Sequence, residues 1–468
     1  AGNVAFNGAF GGNIVNNTTT AQIDNGSTIV VGSGEVADED ANGASLFVDA
    51  TDDSYVITVA GAVARSESVG IGTSVGVSVT LRDTQAIIGD ETGEEAASGI
   101  IIVDGDALVS ADNGGFIGTF AVAGASASPK TTTAEAPSAS NPSVTPFNGT
   151  GGTQGSDGSS QSDTDLLNWQ TRMASLLTEM KTSGKVTDNA TGATDAIEQA
   201  TETSNQSKSG YGISGAFTVN VVHEDALAYM QNIDSFTAGT LTLESVDSTL
   251  LCTLAGSVSL ASSTGQGTSV GIAGAAAINI LTGSTAAYVN GATLHLDELI
   301  ENAVRSGLVV SVAAGAGGAK GRSGYALGGS LSFCYSGATT EAYLENASGE
   351  IAGDLLLSAT DSTHIIQVAG AAGFGGKAGV GAAIAFSDIH NTVSTRVEDV
   401  SSITYSGDVI LSSLSDSLII TAVAGVGVAT GGGGEQGYGV GGTVAVNLIQ
   451  NTVEAEIIDS QLTAALGT

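Results

Sequence analysis

Proline is nearly missing from this sequence. Its 4 copies, Pro129, Pro137, Pro142 and Pro146, fall in one stretch, so the 67 glycines are not those of a collagen-like or proline-rich disordered chain. Cysteine occurs only as Cys252 and Cys334, too few for a disulfide framework. Both lie in apolar strand-like runs, LLCTLAG and LSFCYSG, which predicts buried free thiols packed as small hydrophobes. Aromatic residues are 4 % of the chain while hydrophobic residues are 42 %, mostly Ala, Val, Ile and Leu, so the chain can bury many thin layers but no thick aromatic core. Bases are scarce as well: 12 Lys and Arg face 48 Asp and Glu, for a net charge of −36. That excludes nucleic acid as a partner, because binding it requires Lys and Arg to displace counterions. Such a surface stays soluble, repels its own copies and attracts cations. No basic leader precedes an apolar stretch in these residues. The longest apolar run, VGIAGAAAINIL (270–281), is too short to span a bilayer.

What the sequence has is repetition. GYGISGAFTVNVVHEDALAYM (210–230), GYALGGSLSFCYSGATTEAYL (324–344) and GYGVGGTVAVNLIQNTVEAEI (437–457) are one line written three times. Aligning every copy puts Ala21, Ala86, Ala228, Ala287, Ala342, Thr395 and Ala455 in one column, and a period of about 58 residues means a repeat architecture. A second half-line accompanies each copy, clearest in GDLLLSATDSTHIIQVAG (353–370) and GDVILSSLSDSLIITAVAG (407–425), with a Gly-rich join such as VGVATGGGGEQ (426–436) between the halves.

The runs LLLSAT, HIIQVAG, VAVNLI and VEAEI are β-branched or aliphatic and bounded by Gly, Asp, Asn and Ser, so they read as strands. Some alternate, as in Leu241, Thr242, Leu243 and Glu244; others, such as AAAINIL, are apolar at both parities, the mark of strands covered on both faces. The expected fold is all-β: a repeat β-solenoid, parallel β-helix-like, with a small helical insertion. Two narrow coils per repeat or one wide flattened coil fit equally well. Glycine is expected at the corners.

Two columns stand out. Asn13, Asn220, Asn279 and Asn447 align, with Val79, Cys334 and Ser387 in the other copies, and stacked Asn side chains can hydrogen-bond as a ladder. Asp52, Asp247, Asp361 and Asp416 form the second column, where each Asp can bond its own backbone two residues on and shape a corner. A row of calcium sites is the functional alternative there, although a calcium cage needs six or more oxygens.

The array is expected to run over 1–128 and 209–468, interrupted by 129–208. The interruption opens with a low-complexity Ser/Thr/Pro/Gly tract. It continues as DTDLLNWQTRMASLLTEMKTSG (163–184), where Leu166, Trp169, Met173, Leu176, Leu177 and Met180 have helical spacing. The predicted amphipathic helix either docks its apolar face on the array or contacts a partner.

Catalytic motifs are not apparent. GAKGRSG (318–324) and GIGTSVG (70–76) lack the order of phosphate and dinucleotide loops. The four histidines have no second ligand at zinc spacing. Arg65 and Arg82 are the only bases near the paired acids, which read as solvated corner charges. The clusters Asp38, Glu39, Asp40 and Asp90, Glu91, Glu94, Glu95 are the candidates for incidental cation binding, calcium above all.

The combination of LxLxAxxDSxxxxxVAG with GxxVAVNxIxNTxEAxI, clearest over 409–457, resembles the repeats of large bacterial filamentous surface adhesins, the group that includes fusobacterial leukotoxin-like proteins. The resemblance implies a secreted, very long β-solenoid with an adhesive or structural role at the bacterial cell surface, and no catalytic residues. The expected partners are other copies of the chain, end to end or side by side, and cell-surface glycans or proteins. Open strand edges at both ends of the array fit a fibre or a window in a longer array. Readings of another class are a carbohydrate-active enzyme on a parallel β-helix and a calcium-dependent surface-layer module.

Overall fold

The computed structural model describes residues 3–32, 43–93, 96–129, 208–431 and 436–465. The predicted helix, with Leu166, Trp169, Met173, Leu177 and Met180, lies outside them. Among the described residues the chain is all-β, and its strands join in one large parallel sheet.

Each repeat builds one layer with three sides. A front strand, Val4–Asp24 in layer 1 and Val69–Gly89 in layer 2, is followed by a short side, Thr28–Val31 and Ile100–Val103. A back strand, Leu46–Ser66 and then Ala107–Ala127, completes the layer. In layer 3 the single strand Gly210–Ser262 runs round all three sides.

Successive layers pair parallel and in register. Ala21, Ala86, Ala228, Ala287, Ala342, Thr395 and Ala455 lie directly over one another through seven layers, so one repeat makes one layer rather than two. The stacking also bridges the long interval. Val69 pairs with Tyr211 and Ala127 with Ala261, so layer 3 takes up the register that layer 2 left.

Front and back sheets face each other across a wedge-shaped interior. Near the short side the wedge is thick and filled by large side chains, among them Ile101, Met230, Phe236, Leu294 and Ile351. Towards the other edge only small residues fit, as with Ala121, Ala216, Ala255, Ala275 and Ala313. There the backbones nearly touch: a Cβ on Gly72 would lie 2.0 Å from the Gly124 carbonyl oxygen, and one on Gly427 2.0 Å from that of Val440. This corrects the expectation that glycine marks corners. Most of the Gly-rich text, such as HIIQVAGAAGFG, is strand, and it lets two sheets meet.

The corner between front and short side turns differently. Asn232 (φ 57°), Asn346 (φ 51°), Asp399 (φ 50°) and Asp459 (φ 44°) adopt the left-handed conformation, and Gly291 (φ 70°) does so in layer 4. Asn and Asp tolerate this region better than other side chains because they can hydrogen-bond locally.

Two glycines three residues apart on one strand test the wedge. A Cβ on Gly271 would meet the Gly318 carbonyl oxygen at 2.2 Å, whereas Gly274 has nothing within 4 Å. Gly271→Ala is expected to cost about 3 kcal/mol or more through the forced separation of the sheets. Gly274→Ala is expected to be neutral or stabilising by up to about 1 kcal/mol. Denaturant melts of the two variants make the comparison.

Candidate functional site: a buried polar ladder

The predicted Asn column runs through the middle of the wedge, buried in layers 2 to 6, half-buried at Asn13 and exposed at Asn447. Its stacking order is Asn13, Ser78, Asn220, Asn279, Cys334, Ser387 and Asn447, so Ser78 and not Val79 represents layer 2. Val79 points outward one position along, and the column is small and polar in every layer.

A second column, unrecognised in the sequence, faces it from the back sheet: Thr58, Thr119, Thr253, Ser311, Gln367 and Thr421. The two are stitched together. Asn13 Nδ2 donates to Thr58 Oγ1 (2.7 Å), Asn220 Nδ2 to Thr253 Oγ1 (2.7 Å) and Thr421 Oγ1 to Asn447 Oδ1 (2.8 Å). Between layers Asn220 Nδ2 donates to Asn279 Oδ1 (2.8 Å), and Asn279 Nδ2 to Cys334 Sγ (3.5 Å). In layers 5 and 6 Gln367 takes over, donating to Ser332 Oγ (2.8 Å) and accepting from Ser387 Oγ (2.7 Å).

Cys334 is therefore a buried member of the ladder, and burial pushes its thiol up to about 11. Cys252 is half-buried and belongs to the outer side of the back sheet, so the expectation of a buried thiol fails there.

The predicted Asp column lies deeper, near the thick end. Its stacked members are Asp52, Asn113, Asp247, Arg305, Asp361 and Ser415; Asp416 falls one residue out of the column. Its acids look inward and are spent there. Asn17 Nδ2 donates to Asp52 (3.0 Å) and Asn391 Nδ2 to both oxygens of Asp361 (3.1 and 3.0 Å). The Thr363 backbone N–H donates to Asp361 two residues back (3.1 Å), which is the corner bond expected of this column.

Arg305 sits between two aspartates of its own column, with Nη1 2.9 Å from Asp247 Oδ2. In the facing front sheet, two layers away, Arg82 of layer 2 donates to Glu224 through Nε (2.9 Å) and Nη2, and to the Asp52 carbonyl oxygen (3.1 Å). Burial and the adjacent Asp247 push the Glu224 carboxyl up, while Arg82 draws it down. The reading of Arg82 and the TDD acids as solvated is thus overturned for Arg82 and Asp52, which are 2 % and 7 % exposed. Removing one partner from such a buried pair strands the other charge at a cost of about 3–5 kcal/mol.

Of the cation candidates, Asp38, Glu39, Asp40, Glu94 and Glu95 lie outside the described residues. Asp90 is buried and holds a turn, accepting from the Thr92 backbone N–H (2.9 Å), with Glu91 beside it. Among the described residues no three His, Cys, Asp or Glu side chains converge as a metal site would require. A cavity of about 510 Å³ opens beside the last layers, lined by Tyr405, Val409, Leu411, Ala455, Ile457, Ser460 and Leu462, none of them an acid, histidine or cysteine.

On the outside of the front sheet, three tyrosines stack. The Tyr229 and Tyr288 rings are 4.8 Å apart, those of Tyr288 and Tyr343 4.4 Å, and the Arg396 guanidinium lies 4.3 Å above Tyr343.

Compared with protein-family models, with curated proteins and with solved structures, the chain matches none of them.

Two substitutions probe the interior. Asn279→Leu removes the bonds that Asn220, Thr253 and Cys334 make to this side chain and is expected to cost about 2–4 kcal/mol, read from a denaturant melt. Glu301 breaks the pattern in the opposite sense. It is fully buried between Leu243 and Leu357 in an apolar column, has no side-chain partner, and burial holds its carboxyl well above the carboxylate range, with the Val289 backbone N–H drawing it down. The folded state therefore keeps a proton that the unfolded state loses, so this group's contribution is intact below its ordinary value of 4.5 and declines as pH rises above it. Glu301→Leu is expected to stabilise the protein by about 1–3 kcal/mol at neutral pH and to flatten that decline, measured as melting midpoint against pH.

Proposed function

We propose that this chain is a non-catalytic structural and adhesive β-solenoid, a segment of an extracellular bacterial surface fibre or giant adhesin. One observation carries the reading: like positions of the repeats lie on one another through seven layers, each layer supplying backbone partners to the next. An array of that kind is built for length. The buried acids and bases support it too, since Arg82, Glu224, Asp247, Arg305 and Asp361 are committed to one another and to interior partners. The −36 charge suits a saline exterior. No helix among the described residues is long and apolar enough to cross a membrane. The adhesin resemblance of 409–457 adds the surface role, with cell-surface glycans or proteins as binding targets.

Electron microscopy of the purified chain, combined with attachment of labelled protein to cells, tests this. Thin rods or fibres that attach to cells are expected. Compact particles, or rods that bind no cell surface, defeat the adhesive reading. Cleavage of a polysaccharide, lost on carboxylate substitution, would replace it with an enzyme. A large fall in melting midpoint on adding EDTA would favour the calcium-dependent surface-layer module.

A further inference from the structure

The thin half of the wedge keeps its large side chains outside. Between the sheets lie mainly Gly, Ala, Ser, Thr and Asn, because the gap is too narrow for more. Strand geometry sends alternate residues to opposite faces, so the large side chains of the front sheet point out. Tyr211, Ile213 and Phe217 of layer 3, Leu327 and Leu331 of layer 5 and Ile384 of layer 6 are 37–47 % exposed. Among the outward positions stacked on Val69, Ile71, Thr73, Val75, Val77 and Val79, Asp388 is the single charged side chain in the described residues. This in a chain with 48 acids and 12 bases.

The face has relief. Gly215, Gly274 and Gly329 stack into a groove parallel to the long axis, which continues over Ala382 to Gly442 and is closed on its other side by Thr73; Gly215, Gly274 and Gly442 have no atom within 4 Å of a built Cβ. Ridges flank it, with Phe217, Leu331 and Ile384 on one side and Ile213, Leu327 and Val440 on the other.

We propose that the front face packs against the front face of a second copy of this chain, the ridge of one lying in the glycine groove of the other. This rests on the fibre reading and specifies its side-by-side contact. Strands of 12 residues such as Tyr438–Ile449, through seven layers about 4.8 Å apart, give roughly 1,300 Å² per copy. A standard interface takes roughly 800 Å² per partner, and the largest apolar patch of a typical monomer is about 300–600 Å². Two copies share one layer spacing, so ridge and groove stay in step from layer to layer, with the deepest fit at Gly215, Gly274 and Gly329, as in a dry zipper between sheets. With Asp388 as its one charged side chain, the face lets two strongly acidic chains meet with little like-charge repulsion at the seam. An anionic lipid surface fits worse, because the face carries no Lys or Arg to hold it and the chain is at −36. Runs that are apolar at both parities, such as AAAINIL, also belong to strands covered on both sides.

Sedimentation equilibrium of the full chain provides the test, with Ile278→Asp and Gly274→Phe as variants. Both positions point outward, so an unchanged melting midpoint and far-UV spectrum show that the fold survives. The expected result is a wild-type dimer or higher side-by-side assembly that each variant weakens about 100-fold, one by burying a charge and one by filling the groove. A monomeric wild type at 100-fold dilution series extremes alike overturns the proposal, as does association that neither variant changes. So does a monomer that associates only after residues 130–207 are deleted, or one that binds neutral vesicles through the same residues. Self-association without attachment to cells would support this contact while defeating the adhesive reading.

Discussion

The narrow gap between the facing sheets sets the rest of the structure. Where carbonyl oxygens of one sheet lie within 2.0–2.4 Å of the place a Cβ would take on the other, as at Gly72, Gly271 and Gly381, only hydrogen fits. Glycine, alanine and serine follow inside, and the strand period sends valine, isoleucine and phenylalanine outside. The low aromatic content and the high glycine content are thus one fact seen twice. The wedge opens only near the short side, where Met230 and Phe236 find room.

A gap lined by small residues gains little from apolar burial, so its register is set by polar contacts. Asn220, Thr253 and Asn279 each have a partner only at one stagger of the layers. A slip by one residue along a strand would turn the ladder outward and drive Val219 and Val221 into a space too thin for them. The buried ions act in the same way. Arg82 with Glu224 and Arg305 with Asp247 each tie a layer to its neighbour, and an ion pair contributes more to this specificity than to net stability.

The period and most of the register could be read in the sequence, because the Ala21 to Ala455 column repeats one small residue facing one wall. The Asn column was legible for the same reason, but it slipped at VGVSVTL, where residues on either side of Ser78 look alike. SDS misled in the same way at Ser415 and Asp416. Arg82 and Arg305 escaped because alignment rewards sameness, whereas an ion pair needs opposites in neighbouring layers. The threonine column escaped because threonine is common in any strand. Which parity faces in could not be read where both parities are apolar; it depends on the distance to the other sheet, which no single strand encodes. The helical segment containing Trp169 lies outside the described residues.

Layers held edge to edge by backbone bonds, yet joined end to end by one continuous chain, have an uneven response to load. Pulling along the long axis peels one layer at a time, since each is bonded only to its two neighbours. A freed repeat of about 58 residues pays out roughly 190 Å of slack before the next layer is strained. A tether made this way yields in steps under a sudden tug and can rewind, because the layer left behind remains a template for the strand that was lost.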